Sequence, residues 1–265
     1  MIEALDPLTA PLPPEVPLSK APLVRVICQL RFPLIVAVEQ RDTIAPFQEA
    51  IRGTYPVLRQ ERTQAVLLGP TGIGQAAPNQ IVWRFHDIDA AWRVSLAPDF
   101  LALETTRYTS RSEFLDRLRQ VLVVLGEHVQ PKLIDRLGVR YIDRIAGSDV
   151  LELPRLVRPE VCGIAGTAAA THLQHSITES MFVIDREQML ARWGKLPPQA
   201  TIDPAAIEPI NEPSWILDLD MFGTERVVFD VDRVLAAATG YCERIYGVFR
   251  WAVTDEFLRR FGGNV

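Results

Sequence analysis

At 265 residues the chain is long enough for one large domain or two modest ones, and either would bury a substantial core. Hydrophobic residues at 48% and charged residues at 23% match an ordinary globular composition, and no apolar run approaches the ~20 residues of a membrane helix. The net charge of -5 argues against a chain-wide electrostatic footprint for nucleic acid.

The charge is unevenly spread. Residues 1–150 hold 17 Lys+Arg and 17 Asp+Glu, whereas residues 151–265 hold 11 and 16, so a local basic surface remains open in the first part. The N-terminus begins acidic and lacks a continuous apolar core, which does not read as a secretory signal; a soluble, cytoplasmic protein is expected. Cys28, Cys162 and Cys242 are odd in number and widely scattered, which excludes a disulfide framework or a paired zinc motif and leaves them as small buried hydrophobes.

Residues 1–22 contain Pro7, Pro11, Pro13, Pro14, Pro17 and Pro22, and proline's fixed φ and missing donor make this an extended arm. It would either lie over the body of the protein or dock on a partner. Leu23 to Phe32 is the first strand, with Val24, Val26, Cys28, Leu30 and Phe32 on one face and Arg25 and Arg31 on the other. A helix is expected over Thr43 to Gln60 from the spacing of Ile44, Phe47, Ile51 and Tyr55, capped by Asp42 or Thr43 and closed by Pro56. Pro46 would sit in its first turn.

Short strands follow at Ala65 to Leu68, Ile81 to Ile88, Trp92 to Leu96 and Phe100 to Thr105, with a turn near Asp89-Ala90-Ala91. Between the first two lies GPTGIGQ, whose glycines suggest a phosphate loop but which lacks the Lys-Ser/Thr that such a loop needs; a hairpin loop is the better reading. Ser110 followed by Glu113 is a capping box, and Phe114, Leu118, Val121, Leu122, Leu125, Val129 and Leu133 then recur at helical period. That helix leads into LGVRYIDRI, residues 137–145, the clearest strand alternation in the chain. Val139, Tyr141 and Ile145 share one face, and Arg140, Ile142 and Arg144 share the other.

Pro154 and Pro159 open the second part, and GIAGTAAA is a small-residue loop or short helix. His172 to Ile184 and Gln188 to Trp193 read as strands, and the five prolines of residues 194–213 mark a loop. SWILDLDMF, residues 214–222, is a strand that Val227 to Phe229 extends or follows. A long helix is expected from Val231 to Phe261, with breaks at Gly240 or Gly247 and an end at Gly262-Gly263.

The whole reads as α+β: antiparallel sheet covered by long helices, divided into an arm (1–22), an α+β half (23–150) and a second α+β half (151–265). Both halves run strands-then-helix, so an internally duplicated unit would explain the length. Five segments, PLPPEVPLSKAPLVRVICQLRF, LGVRYIDRI, LARWGKLPP, WILDLDMF and FRWAVTDEFLRRFG, occur in this order. Together they resemble a sporadically distributed family of prokaryotic proteins of about this length with no assigned reaction. The resemblance spans nearly the whole chain. It carries over no catalytic residue, and patchy distribution would suit an accessory locus of the defence or toxin–antitoxin kind.

Asp218 and Asp220 share a strand face roughly 7 Å apart, a spacing that could hold a hard cation or could answer basic residues across a sheet. Arg140 and Arg144 have the matching same-face spacing, so charge-assisted bonds between the two strands are expected. Arg25, Arg31, Arg84, Arg93, Arg140 and Arg144 all fall on the less apolar strand faces. If those faces coincided they would bind phosphate or single-stranded nucleic acid; otherwise their stems cover a solvated sheet face. His86 with Asp87 and Asp89 is an acid–base candidate beside a turn, and His172 and His175 would share a face only on a helix.

No cofactor and no metal site is expected. The function expected is that of a non-enzymatic binding or regulatory protein acting through a protein partner, by the arm or the acidic second half. The alternative is an enzyme or binder for a nucleotide or other phosphate-bearing ligand held by the strand arginines, with Asp218, Asp220 or His86 doing the chemistry.

Overall fold

The computed structural model describes residues 6–63, 68–69, 72–73 and 80–265. In chain order it runs β1 (Leu23–Arg31), α1 (Arg41–Ile51), β2 (Val57–Thr63), β3 (Leu68–Gly69), β4 (Gly72–Ile73), β5 (Gln80–His86), β6 (Trp92–Ala97), β7 (Phe100–Thr105), α2 (Arg111–His128), β8 (Leu133–Ile134) and β9 (Arg136–Ala146). There follow the short helices α3 (Leu153–Leu156) and α4 (Pro159–Cys162), then β10 (Ser176–Ile184), β11 (Glu187–Leu196), β12 (Ser214–Gly223), β13 (Val227–Val228), α5 (Val231–Ala252) and α6 (Asp255–Arg260). Nine strands form one sheet in the order β10-β11-β12-β9-β1-β7-β6-β5-β2, so the molecule is α+β with a large antiparallel sheet. Among the described residues no helix is long and apolar enough to cross a membrane.

The chain divides into two compact units that interleave in sequence. One comprises Ile27–Gly138 and Thr224–Ala238; the other comprises the residues up to Val26 with Val139–Gly223 and Thr239–Val265.

In the first of these, β5, β6 and β7 form an antiparallel meander and β2 pairs with β5. The α2 start follows its sequence: Ser110 Oγ accepts the Glu113 backbone N–H, and such a cap is worth about 1 kcal/mol. Phe114, Leu118, Val121, Leu122 and Leu125 bury one stripe, each stabilising by roughly 1.5–3 kcal/mol. Trp92 stacks on Phe114 at 5.9 Å, with the Arg117 guanidinium 4.3 Å above the Trp92 ring.

Two expectations for this unit are corrected. The helix expected to Gln60 ends at Ile51, and Gln40, not Asp42 or Thr43, is its N-cap, without a side-chain bond. Tyr55 is buried but lies in the turn after the helix, and Pro46 sits inside the helix and beyond its first turn. Residues 57–63 are a strand because their backbone groups pair with β5, although VLRQERT has no apolar alternation to announce it. The strand expected at Ala65 to Leu68 and most of the GPTGIGQ loop lie outside the described residues, apart from the two-residue strands β3 and β4.

In the other unit, β10, β11 and β12 pair antiparallel in continuous register. The strand expected from His172 begins only at Ser176, while β11 runs on past Trp193 to Leu196. Gly194 makes that extension feasible: its φ is 150°, and a Cβ there would lie 1.8 Å from the Ser176 carbonyl oxygen. The terminal helix passes through Gly240 and Gly247 and breaks instead at Val253, which bridges to Val157. Thr254 then caps α6 by accepting the Phe257 N–H at 3.2 Å, and Gly263 N–H reaches the Leu258 carbonyl at 2.7 Å to close the helix.

The proline-rich arm lies on these helices. An extended proline-rich chain has no internal hydrogen bonds, so its carbonyls need outside donors. Tyr246 Oη donates to the Pro14 carbonyl at 3.1 Å and accepts the Val16 N–H at 2.8 Å, and Lys20 N–H donates to the Phe261 carbonyl at 3.0 Å. Of the two readings of the arm, residues 6–22 take the one in which it lies over the protein's own body.

Candidate functional site

Strand alternation and register place three charged side chains side by side. Arg192 on β11 stands directly opposite Asp218 on β12, and β9, the next strand in the order, supplies Arg140. Arg140 grips the Asp218 carboxylate with two parallel bonds, Nε to Oδ1 at 2.7 Å and Nη2 to Oδ2 at 2.8 Å. Arg192 adds Nε to Oδ2 at 3.1 Å and Nη2 to Oδ2 at 2.8 Å. Asp218 is fully buried, so two guanidinium groups replace the water it has lost.

The remaining Arg140 nitrogen, Nη1, donates to Asp203 Oδ2 at 2.7 Å. Asp203 belongs to the proline-rich loop between β11 and β12. It is prepared locally: its Oδ1 accepts the Ala205 N–H at 3.1 Å, and its carbonyl accepts the N–H groups of Ala206 and Ile207. Thr201 Oγ1 donates to the Ile207 carbonyl at 2.7 Å, and Ile207 is buried. Arg144 Nη2 holds the next residue of the loop, donating to the Glu208 carbonyl at 2.7 Å. The arginine face of β9 is therefore occupied by the chain's own loop.

The electrostatics follow. Burial works against the Arg140 charge, but the hydrogen bonds and charge of Asp218 and then of Asp203 outweigh it and raise its pKa. Burial likewise pushes Asp203 up, yet Arg140, the Ala205 amide and Arg192 together hold it below the usual carboxylate value. Burial lowers Arg144, only partly opposed by the Glu208 charge. Two aspartates and two arginines leave this cluster with no net charge.

On the other face of β9 stands a group that the strand reading passed over. Asp143 alternates with Val139, Tyr141 and Ile145, is 7% exposed, and has its pKa raised to about 7 by burial. Its position was legible in the alternation, as a carboxylate in the middle of an apolar face. Arg192 offered a weaker signal, and Asp203, in a loop without periodicity, offered none.

The expected bond between the strands is present as Arg140 with Asp218. Arg144 takes a backbone carbonyl instead, and Asp220, on the same face two residues on, is engaged as well. Among the described residues no group of three or more His, Cys, Asp or Glu side chains is disposed to hold a metal.

The other arginines are also matched. Arg84 pairs with Glu61 at 2.5 Å and donates to Ser95 Oγ at 2.9 Å; Arg93 pairs with Glu104 at 2.5 Å; Arg31 lies 3.5 Å from Asp99; Arg25 has a partner too. The residues of HDID separate rather than converge. Asp87 Oδ1 accepts the Trp92 N–H at 3.0 Å, Asp89 pairs with Arg107 at 2.8 Å, and His86 faces Arg93 across the ladder. Burial first, then the charges of Arg93, Arg59 and Arg84, lower the His86 pKa. His172 ends a short helical turn and His175 precedes β10; both are exposed. All three cysteines are free and buried. No protein-family profile matches this chain, and no curated protein matches it.

Proposed function

We propose that this protein is a non-enzymatic binding or regulatory protein that acts through a protein partner. The observation that supports this reading is the internal pairing of the buried charged cluster. Asp218 spends its carboxylate on Arg140 and Arg192, and Arg140 turns its third nitrogen on Asp203. A general base needs a lone pair within reach of substrate, and a phosphate clamp needs unspent guanidinium donors. Here those groups pin a loop to a sheet, which is the work of a scaffold that presents surfaces.

The test is a thermal-shift panel on the whole chain with magnesium, manganese and zinc ions and with nucleoside mono- and triphosphates. A site filled at 100-fold above its Kd would stabilise by about 2.7 kcal/mol, so a real ligand is visible. The expected result is no saturable shift. Saturable stabilisation by a nucleotide, abolished by Arg144→Ala, would overturn the reading in favour of a phosphate-binding protein.

A further inference from the structure

β10 stands at one end of the nine-strand order, and among the described residues no strand lies outside it. It is nine residues long, against a usual five or six, and reads SITESMFVI. Natural sheets blunt such edges with lysine, proline or several charges, because unpaired backbone groups recruit another strand. This edge has one charge, Glu179, and no lysine or proline. Met181 and Val183 on it are 51% and 70% exposed. An unblunted edge with apolar side chains on display is built to be occupied.

We propose that its occupant is a second copy of this chain, pairing β10 antiparallel to β10 about a two-fold axis through Ser180. This rests on the reading of the protein as a binding protein and names its partner. A two-fold axis normal to the sheet pairs residues on the same face, so it must pass through a residue, and three central registers are open. An axis through Glu179 would set Glu179 against its own copy, a like-charge pair that destabilises. An axis through Met181 would carry Ile177 past the partner's Ile184 and set it against a turn aspartate, outside the ladder.

An axis through Ser180 pairs all nine residues. Ile177 meets Val183, Thr178 meets Phe182 and Glu179 meets Met181, with no like charges opposed. Just beyond the strand ends, exposed His175 falls against Asp185, the first residue of the β10–β11 turn. The chain is therefore complementary to itself at this edge in one register. The row on that face already alternates in sign across unit strands, Glu179 opposite Arg192 and Arg192 opposite Asp218.

Light scattering coupled to size exclusion, run on the full chain over a concentration series, should give twice the 29.7 kDa chain mass. Met181→Glu places two like-charge contacts against Glu179 across the axis and should weaken dimerisation about tenfold or more. Met181→Lys puts opposite charges at the same two places and should keep or tighten the dimer. Both variants should keep the parent's far-UV circular dichroism, because Met181 is half-exposed. Ser180→Cys should cross-link with itself under mild oxidation while Thr178→Cys should not; the three native cysteines are buried and do not interfere. A monomer at every concentration, equal weakening by both Met181 variants, or cross-linking by Thr178→Cys alone would each overturn the proposal. None of these would bear on the nucleotide and metal panel, so the two readings fail separately.

Discussion

Asp218 and Asp143 are both buried carboxylates in the same unit, on opposite faces of its sheet, and they resolve the cost of burial in opposite ways. Asp218, with no exposed surface, keeps its charge company with two guanidinium groups at 2.7–3.1 Å. Asp143 sits among Val139, Tyr141 and Ile145, and burial moves its pKa to about 7. A carboxylate removed from water is either paired or pushed toward its neutral form. β9 does both within four residues, because alternation sends Arg140 to one face and Asp143 to the other.

Removing a partner from the paired side should have the largest effect. Arg140→Met leaves Asp218 buried with Arg192 alone and releases Asp203, and it should cost about 3–5 kcal/mol in urea unfolding. A loss below ~1 kcal/mol would mean that water reaches Asp218 once Arg140 is gone.

The solitary side should respond with the opposite sign. The folded Asp143 carboxyl, at about 7, holds a proton that the unfolded chain releases near its ordinary 3.8. Its contribution is therefore fully present below about 3.8, is lost as pH rises to about 7, and stays lost above that. Asp143→Asn should stabilise the protein at pH 8 by on the order of 3 kcal/mol and flatten that part of the stability–pH profile. An unchanged slope between pH 4 and 7 would show Asp143 to be ionised in the folded state.

Asp203 connects the paired side to the loop, and its depressed pKa has the reverse linkage. Its contribution is present above the ordinary carboxylate value of 3.8 and is lost as pH falls through the folded value. Asp203→Ala should cost about 1–3 kcal/mol and, more tellingly, make residues 197–213 susceptible to limited proteolysis. Proteolysis that leaves this loop intact in the variant would assign the loop's order to buried Ile207 instead.

Arg144→Ala is the mildest change. Its single bond to the Glu208 carbonyl is exposed, so a loss of about 1 kcal/mol or less is expected by the same urea titration. A cost equal to that of Arg140→Met would erase the distinction between a buried ion pair and a single bond to a backbone carbonyl.

Much of this was legible from local pattern. The alternation in LGVRYIDRI and WILDLDMF put two arginines and two aspartates on strand faces, and opposite charge suggested that they meet; Arg140 and Asp218 do, 78 residues apart. Ser110 with Glu113 marked the start of α2, and the α2 stripe marked its buried face, because capping and helical period act within one or two turns. The α+β class followed from the same local signals. By contrast β2 was invisible: its polar side chains carry no alternation, and only the partner strand β5 makes it a strand.

Backbone period alone sets the direction in which each side chain points from its own strand or helix, so the chain's residues carry that information without any partner segment. Which strands became neighbours was settled by the assembled fold. It put Arg192 beside Asp218, brought Asp203 over from a loop to engage the third nitrogen of Arg140, and buried Asp143. It also left β10 at the end of the row. Those outcomes depend on contacts between segments far apart in the chain, whose free energy arises only when the sheet assembles and water is expelled.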